Sequence, residues 1–380
     1  MSLRVLHLLT ALGHGGAESW LLNLIVPLRK LGVEIGFGLK APQLGTLRHV
    51  AGERGAPTYD LPLPLTQVEY VREVRRIARR EHYDIIHTHE LVYGGVGVLS
   101  ARYARTPAVM TLHHYTFEAQ TALTRRLAVG LAREAYGRLT LKYALSRANA
   151  ITAFSTAVMS RVYPGYQADP RCRLLRLSVG SLERAAPEAR ARLRTSLGLE
   201  PTCPLVIHVG RFVPQKNHAG MLRIFRRVLR ARPDARLIFM GHGPTLDEVL
   251  SSARDLTDRG QARYLGSRDD VQELFAAADV LLFPSLNEGF GLVALEANAC
   301  GLPVVATRVP GLTEALVDGE TAILKDVSDE DGLAAAVLDV INDPRRARHL
   351  AERGMSTARS LYSHEASAAL LRDVYANVAR

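Results

Sequence analysis

The stretch "LLFPSLNEGFGLVALEANACGLPVVAT", residues 281–307, decides how the chain is read. An apolar run closes at Phe283. A polar loop through Pro284 and Gly289 follows, then an apolar helical run, and "PVVAT" (303–307) returns as a β-branched strand. Strand, loop, helix and strand in this order make a βαβ unit, with parallel strands and a helix covering one face of the sheet. Two carboxylates, Glu288 and Glu296, bracket the Gly-Phe-Gly turn and the apolar run. Either Glu288 is a surface loop residue and Glu296 a solvated helix residue, or both bind a ligand.

The same alternation extends outward in both directions. Strand-like runs lie at 4–10, 33–39, 83–89, 108–114 and 149–155, and again at 205–210, 236–241, 279–285 and 303–307, with amphipathic runs between them. It occurs twice in 380 residues, so two Rossmann-like α/β domains are expected. The break falls near "RLSVGSLERAAP" (176–187), giving domains 1–180 and 181–362. The last segment, 363–380, reads as a helix with an apolar stripe at Ala366, Ala369, Leu370 and Val374, expected to pack back on the first domain.

Composition narrows the classes. The three cysteines, Cys172, Cys203 and Cys300, match no metal-ligand spacing and read as reduced thiols, which suits a cytoplasmic protein. The opening "MSLRVLHLLTALGHGGAE" reads as a buried strand entering a glycine turn rather than a signal peptide. No apolar run reaches the ~18 residues of a membrane span. The net charge of +10 is uneven: residues 1–180 hold 23 Lys+Arg against 12 Asp+Glu, and the remainder 25 against 26. The basic excess concentrates in 71–82 and 123–147, where arginines alternate with apolar residues at helical spacing. Such faces are solvated, or they meet an anionic membrane surface at the inner leaflet or an acidic acceptor. Aromatic residues are scarce there and no nucleic-acid motif appears, so nucleic acid is not expected.

In open parallel sheets, ligands bind beyond the carboxyl ends of the strands. The first strand ends in "LGHGGAES" (12–19), where Gly13, Gly15 and Gly16 let backbone approach an anion at a helix start; it is neither a dinucleotide fingerprint nor a Walker A loop. Two strands end in histidine pairs, His87 with His89 and His113 with His114. These suit hydroxyl contacts or proton transfer; His-x-His also suggests metal, but no third ligand is evident. "HVGRFVPQKN" (208–217) places Arg211 and Lys216 on a loop entering a helix, a pairing that suits a diphosphate. Gly289-Phe290-Gly291 opens another helix. Eight helical residues span ~12 Å, the scale from a sugar to a ribose across a diphosphate, and carboxylates at both ends would accept hydroxyl hydrogen bonds. A buried glutamate without such partners is costly.

Taken together, "GGAE" (15–18), Gly-Arg…Lys-Asn after the mid-chain strand, and Glu-x7-Glu within 284–307 resemble the retaining GT-B glycosyltransferases of the family-4 type, also called glycosyl transferases group 1. The resemblance spans nearly the whole chain. It implies two Rossmann-like domains facing across a cleft, with the C-terminal helix crossing back to the first. The N-terminal domain would bind the acceptor and the C-terminal domain a nucleotide-sugar donor, most often a UDP-sugar. By position, Gly16 would lie near the donor phosphate and His113 near the transferred sugar. Arg211 and Lys216 would hold the diphosphate, Glu288 would contact the sugar, the Phe290–Gly291–Leu292 backbone would line sugar and phosphate, and Glu296 would hold the ribose. His113 and Glu288 are the catalytic candidates. No metal or other cofactor is implied; "SDEDG" (328–332) reads as a helix N-cap with an acidic first turn rather than a metal motif. Expected acceptors are glycans or lipid-linked glycans of cell-surface polysaccharide or glycoconjugate synthesis. The alternatives are a nucleotide-sugar 2-epimerase of the same fold or a non-catalytic subunit of a polysaccharide assembly complex. Departures from the family pattern are His242 where Asp is common, Pro310 where a first glycine is usual, and a linker without Asn-Gly.

Overall fold

Strand β1 (Leu3–Leu9) buries five successive residues, Val5 to Leu9. Continuous burial of that kind belongs to a strand covered on both faces, as in a parallel sheet. The computed structural model of the chain describes residues 2–13, 16–61, 66–89, 94–113, 127–180, 186–268 and 270–379; Gly15 and His114 lie outside these. The described residues form two compact units, Met1–Ser178 with His364–Arg380, and Val179–Ser363.

The first unit holds β1, β2 (Val33–Leu39), β3 (Thr58–Asp60), β4 (Ile85–Thr88), β5 (Ala108–Leu112), β6 (Ala150–Ala153) and β7 (Cys172–Leu174). They pair in parallel in the order β3-β2-β1-β4-β5-β6-β7. The second unit holds β8 (Leu205–Val209), β9 (Arg236–Met240), β10 (Ala262–Tyr264), β11 (Val280–Phe283), β12 (Val304–Thr307) and β13 (Ile323–Lys325), all parallel in the order β10-β9-β8-β11-β12-β13. Strand order reverses between β1 and β4 in one sheet and between β8 and β11 in the other. Loops leaving such neighbouring strands diverge and open a crevice at their carboxyl ends. The loops after β8 and β11 are those that carry Arg211, Lys216 and Glu288.

Four strands escaped the periodicity reading: β3, β7, β10 and β13. Each has three residues and forms a sheet edge, where a short pairing suffices and no alternation has room to develop.

Helices begin where local chemistry allows. Thr66 caps Gln67–Arg80 in a capping box with Glu69, and that helix buries Tyr70, Val71, Val74 and Ile77 while Arg72, Arg76, Arg79 and Arg80 face solvent. Asp329 accepts from the Gly332 amide at 2.8 Å and caps Glu330–Asn342, so "SDEDG" is a helix start; Glu330 pairs with Arg223 and Arg227.

The C-terminal helix, His364–Val378, belongs to the first unit and packs on Gly16–Lys30 and β5. Its buried face differs from the expected stripe. Ser367, Ala368, Leu371, Val374 and Tyr375 are buried, whereas Ala369 is exposed and Ala366 and Leu370 are half-buried. Two polar residues lie on the buried face, and each has partners. Ser367 Oγ accepts from Trp20 Nε1 at 2.8 Å and donates to the Arg176 carbonyl at 2.6 Å, and Tyr375 joins a histidine network. A stripe scored on apolarity alone skips such residues and rotates the helix.

Candidate active site

Two loops of the second unit are stitched together. Asn217 adopts the left-handed conformation (φ 53°, ψ 47°), its Oδ1 caps His218–Ala231 through the Gly220 amide at 3.1 Å, and its Nδ2 donates to the Pro284 carbonyl at 3.1 Å. The Leu286 amide donates to the Gln215 carbonyl at 2.8 Å. Between these bonds the Lys216 ammonium meets the Glu288 carboxylate at 2.5 Å and lies 4.9 Å from the centre of the Phe283 ring. Ser285 Oγ donates to the same Glu288 oxygen at 2.7 Å, and Thr307 Oγ1 donates to the Ser285 carbonyl at 2.5 Å. The structure thus joins Lys216 and Glu288, 72 positions apart in sequence. Arg211 is exposed on the same loop, with no side-chain partner among the described residues.

The helix Leu292–Ala299 starts from Gly291, whose φ of 77° is open to glycine and strained for other residues. Its carbonyl accepts from the Ala294 amide at 3.0 Å. The Leu292 and Val293 amides have no intrahelical acceptor and form an anion-attracting helix start. Phe290 points away into the unit's core, edge-on to Tyr362 with ring centres 5.8 Å apart. Only its backbone is available to a ligand at this turn. Glu296 is half-buried on the second helical turn, and its carboxyl has no hydrogen bond or ion pair among the described residues. Burial pushes its pKa up to about 7.

Gly311 holds the turn from beneath. A Cβ there would collide with the Glu288 carbonyl oxygen and stand 2.8 Å from the Glu288 and Gly289 carbonyl carbons. Pro310 is the first residue of the helix Pro310–Ala315, a position where its missing amide costs nothing. We expect Gly311→Ala to cost about 1–3 kcal/mol and to weaken nucleotide binding, because the Glu288–Gly289 backbone must retreat. Thermal unfolding and a nucleotide titration read this directly, and an unchanged Tm would show that the turn yields freely.

In the first unit, Gly16 opens the helix Gly16–Lys30 and is exposed. His113 follows β5, is half-buried, and hydrogen-bonds to His89 at 2.9 Å. His87 is fully enclosed and does not meet solvent, whereas His89 is buried but keeps 8% exposure. The third histidine absent from the motif reading is His7 in β1, the register partner of His87. Ligand atoms of His7, His87 and His89 lie within 4.8 Å of one another. Burial drives all three toward neutrality, His7 to a pKa of about 3. Sequence reading gave no role to Ser285, Thr307, Gly311 and Tyr375, and it quoted Asn217 in the Lys-Asn pair without its capping role.

Comparison with known proteins settles the family. The family model described as "Glycosyl transferases group 1" matches residues 189–357, and "Glycosyltransferase Family 4" matches residues 14–175. The chain is 30% identical to the D-inositol 3-phosphate glycosyltransferase of Rhodococcus jostii (strain RHA1), over 89% of this chain and 79% of that protein. This chain belongs to the group 1 glycosyltransferases, family-4 type. This glycosyltransferase is also 26% identical to the N-acetyl-alpha-D-glucosaminyl L-malate synthase of Bacillus anthracis, over 85% of this chain and 81% of that one. Its fold is GT-B: Anabaena Alr3699/HepE, crystallised with UDP, superposes with a TM-score of 0.82 over 99% of this chain and all of its own, at 21% identity. No helix among the described residues is long and apolar enough to cross a membrane.

Proposed function

We propose that this glycosyltransferase moves a sugar from a UDP-sugar to an acceptor hydroxyl with retention of configuration and without a metal ion. The carrying observation is Glu296, a half-buried carboxyl with no protein partner among the described residues, one helical turn beyond an anion-attracting helix start. A carboxylate so placed is costly alone and is relieved by two hydroxyl donors, the pattern a ribose offers. Arg211, Lys216 and the helix start would neutralise the diphosphate, and Glu288 and the Gly291 backbone would meet the sugar. The relative crystallised with UDP, and also with UDP-glucose, supports this base.

In the transfer the bond from the anomeric carbon to the diphosphate oxygen breaks and a bond to the acceptor oxygen forms on the same face. The acceptor's proton passes to the departing diphosphate. The protein contributes charge stabilisation and positioning. The second unit would hold the donor; the first, carrying His113 and Gly16, would take the acceptor.

A glycan or lipid-linked acceptor of surface polysaccharide or glycoconjugate synthesis fits the basic faces of the first 180 residues, through which the protein would sit at the cytoplasmic face of the membrane. A second reading is favoured by the relatives, whose names specify L-malate and D-inositol 3-phosphate. A small carboxylate- or phosphate-bearing acceptor also suits that positive charge.

Calorimetry with UDP, GDP, ADP and dTDP tests the donor. UDP is expected to bind wild type, and no nucleotide binding at millimolar concentration would refute the reading. With UDP-sugars, the anomeric proton coupling of the product reports retention, and EDTA is expected to leave the rate unchanged. Glycan, lipid-linked and small anionic acceptors in the same assay separate the two acceptor readings.

A further inference from the structure

The loop that carries Arg211 and Lys216 is bracketed by two buried histidines. His208 stands in β8 just before the loop, and His218 is the first residue of the helix that follows it. His208 has no exposure and His218 has 3%. The last register pair between β8 and β11 is Ile207 with Leu281. One residue further on, the His208 ring bridges the strands: Nδ1 lies 2.9 Å from the Leu282 carbonyl. A carbonyl can only accept, so Nδ1 carries the proton and donates it there. Burial lowers the His208 pKa to about 3 and keeps the ring neutral, which leaves a lone pair at Nε2.

That lone pair has no hydrogen-bond partner among the described residues, and neither ring nitrogen of His218 has one. It faces the loop. The point where a Cβ would stand on Gly210 is 3.5 Å from His208 Nε2 and 3.5 Å from Cγ of Lys216. The His218 ring stands edge-on to His208 with centres 4.8 Å apart, and its face is stacked on Phe212 at 4.1 Å. Phe212 is itself fixed: its amide donates to the His242 carbonyl at 2.8 Å, and its carbonyl accepts from the Thr245 amide at 3.1 Å.

Buried ring nitrogens of this kind require a partner. Burial, and after it the Lys216 ammonium, lowers the His218 pKa to about 4, and the same ammonium contributes at His208. A bound cation would meet that charge and be repelled. Water is neutral and both donates and accepts, so it can give a proton to His208 Nε2 and take one from the N–H of His218.

We propose that His208 and His218 are positioning residues: bridged by internal water, they clasp the two ends of the loop 210–217 and hold Arg211 and Lys216 preset for a diphosphate. The inference rests on the reading of those two cations as the diphosphate ligands. His218 is two residues from Lys216, and Asn217 between them ties the same loop to the Pro284 carbonyl. A loop closed at its base has less conformational freedom to lose on binding, so the gain falls on the diphosphate rather than on the nucleoside.

Two measurements test the clasp. In ligand-free wild type, water NOE spectroscopy of histidine-labelled protein is expected to show long-lived water at the His208 and His218 ring protons, and 15N spectra His208 as the single Nδ1–H tautomer. His208→Gln and His218→Gln assign the signals. In calorimetry, His218→Leu is expected to weaken UDP about 10-fold while UMP, which lacks the second phosphate, stays within about twofold. His218→Gln, neutral and able both to donate and to accept, is expected to keep UDP within about threefold of wild type. Equal losses for UDP and UMP, no loss for either, or a glutamine variant no better than leucine would reduce His218 to a core residue and overturn the proposal. If His218→Leu does not fold, the wild-type water signal decides: ring–water contacts support the clasp and their absence overturns it. That signal is read without nucleotide, so failure of wild type to bind UDP refutes the functional reading while leaving the clasp decided.

Discussion

Glu296→Gln is expected to make the free protein more stable at pH 8 while weakening its grip on UDP. The Glu296 pKa rises from 4.5 to about 7 on folding because burial disfavours the charged form. Between those values the folded protein holds a proton that the unfolded chain has released. Stability therefore falls as pH rises through this window, and the penalty is complete above about 7. The shift corresponds to roughly 3 kcal/mol, reduced to about 2 kcal/mol by the screening that partial exposure allows. Glutamine keeps the shape and removes the charge. Its Tm gain should be near zero at pH 4 and about 5 °C at pH 8. For binding, Glu296→Ala should cost about 100-fold in UDP affinity, the loss of two charge-assisted hydrogen bonds. Scanning calorimetry at the two pH values and a UDP titration check both halves. A Tm gain independent of pH would show that the carboxylate is not strained, and unchanged UDP affinity would remove Glu296 from the site.

Lys216→Met is expected to lower transfer by about 10²- to 10³-fold, through the loss of a fixed cation at the leaving diphosphate. It should also destabilise the protein by about 3 kcal/mol, since among the described residues Glu288, whose side chain is 8% exposed, would keep the Ser285 hydroxyl alone for its charge. The double variant Lys216→Met/Glu288→Gln should recover part of that stability, about 1–2 kcal/mol, while remaining inactive. Denaturant unfolding of wild type, the two single variants and the double variant gives the coupling, and steady-state kinetics gives the rate. Additive stabilities would mean the ion pair is idle, and retained activity in Lys216→Met would exclude a role on the diphosphate.

These two glutamates show how far local pattern reaches. That Glu296 sits inside a helix and Glu288 ahead of its glycine start followed from the strand–loop–helix–strand reading of 281–307. The capping role of Asp329 was legible in the same way, because a side chain closing its own helix end needs only neighbouring residues. The question that opened on two carboxylates in an apolar run had different answers for each. Glu288 has a protein partner, Lys216, and Glu296 has none among the described residues.

Residue type and spacing by themselves determined the alternation of parallel strands and helices, the two Rossmann-like repeats and the strand ends that merit inspection. Backbone conformation and side-chain period are local properties, and 3.6 and 2 residues are written directly into the chain. Tertiary structure alone decided what meets what. Lys216 reaches Glu288 because β8 and β11 are neighbours, an adjacency set by strand order. His7 joins His87 and His89 because β1 lies in register beside β4, and Tyr375 closes their network from a helix 288 residues beyond His87. The C-terminal helix turned its polar Ser367 and Tyr375 inward against the apolar pattern, because partners supplied by Trp20, Arg176 and two histidines offset the desolvation of their hydroxyls. Hydrogen-bond satisfaction in a buried site depends on groups distant in sequence, and no period along one strand or helix records it.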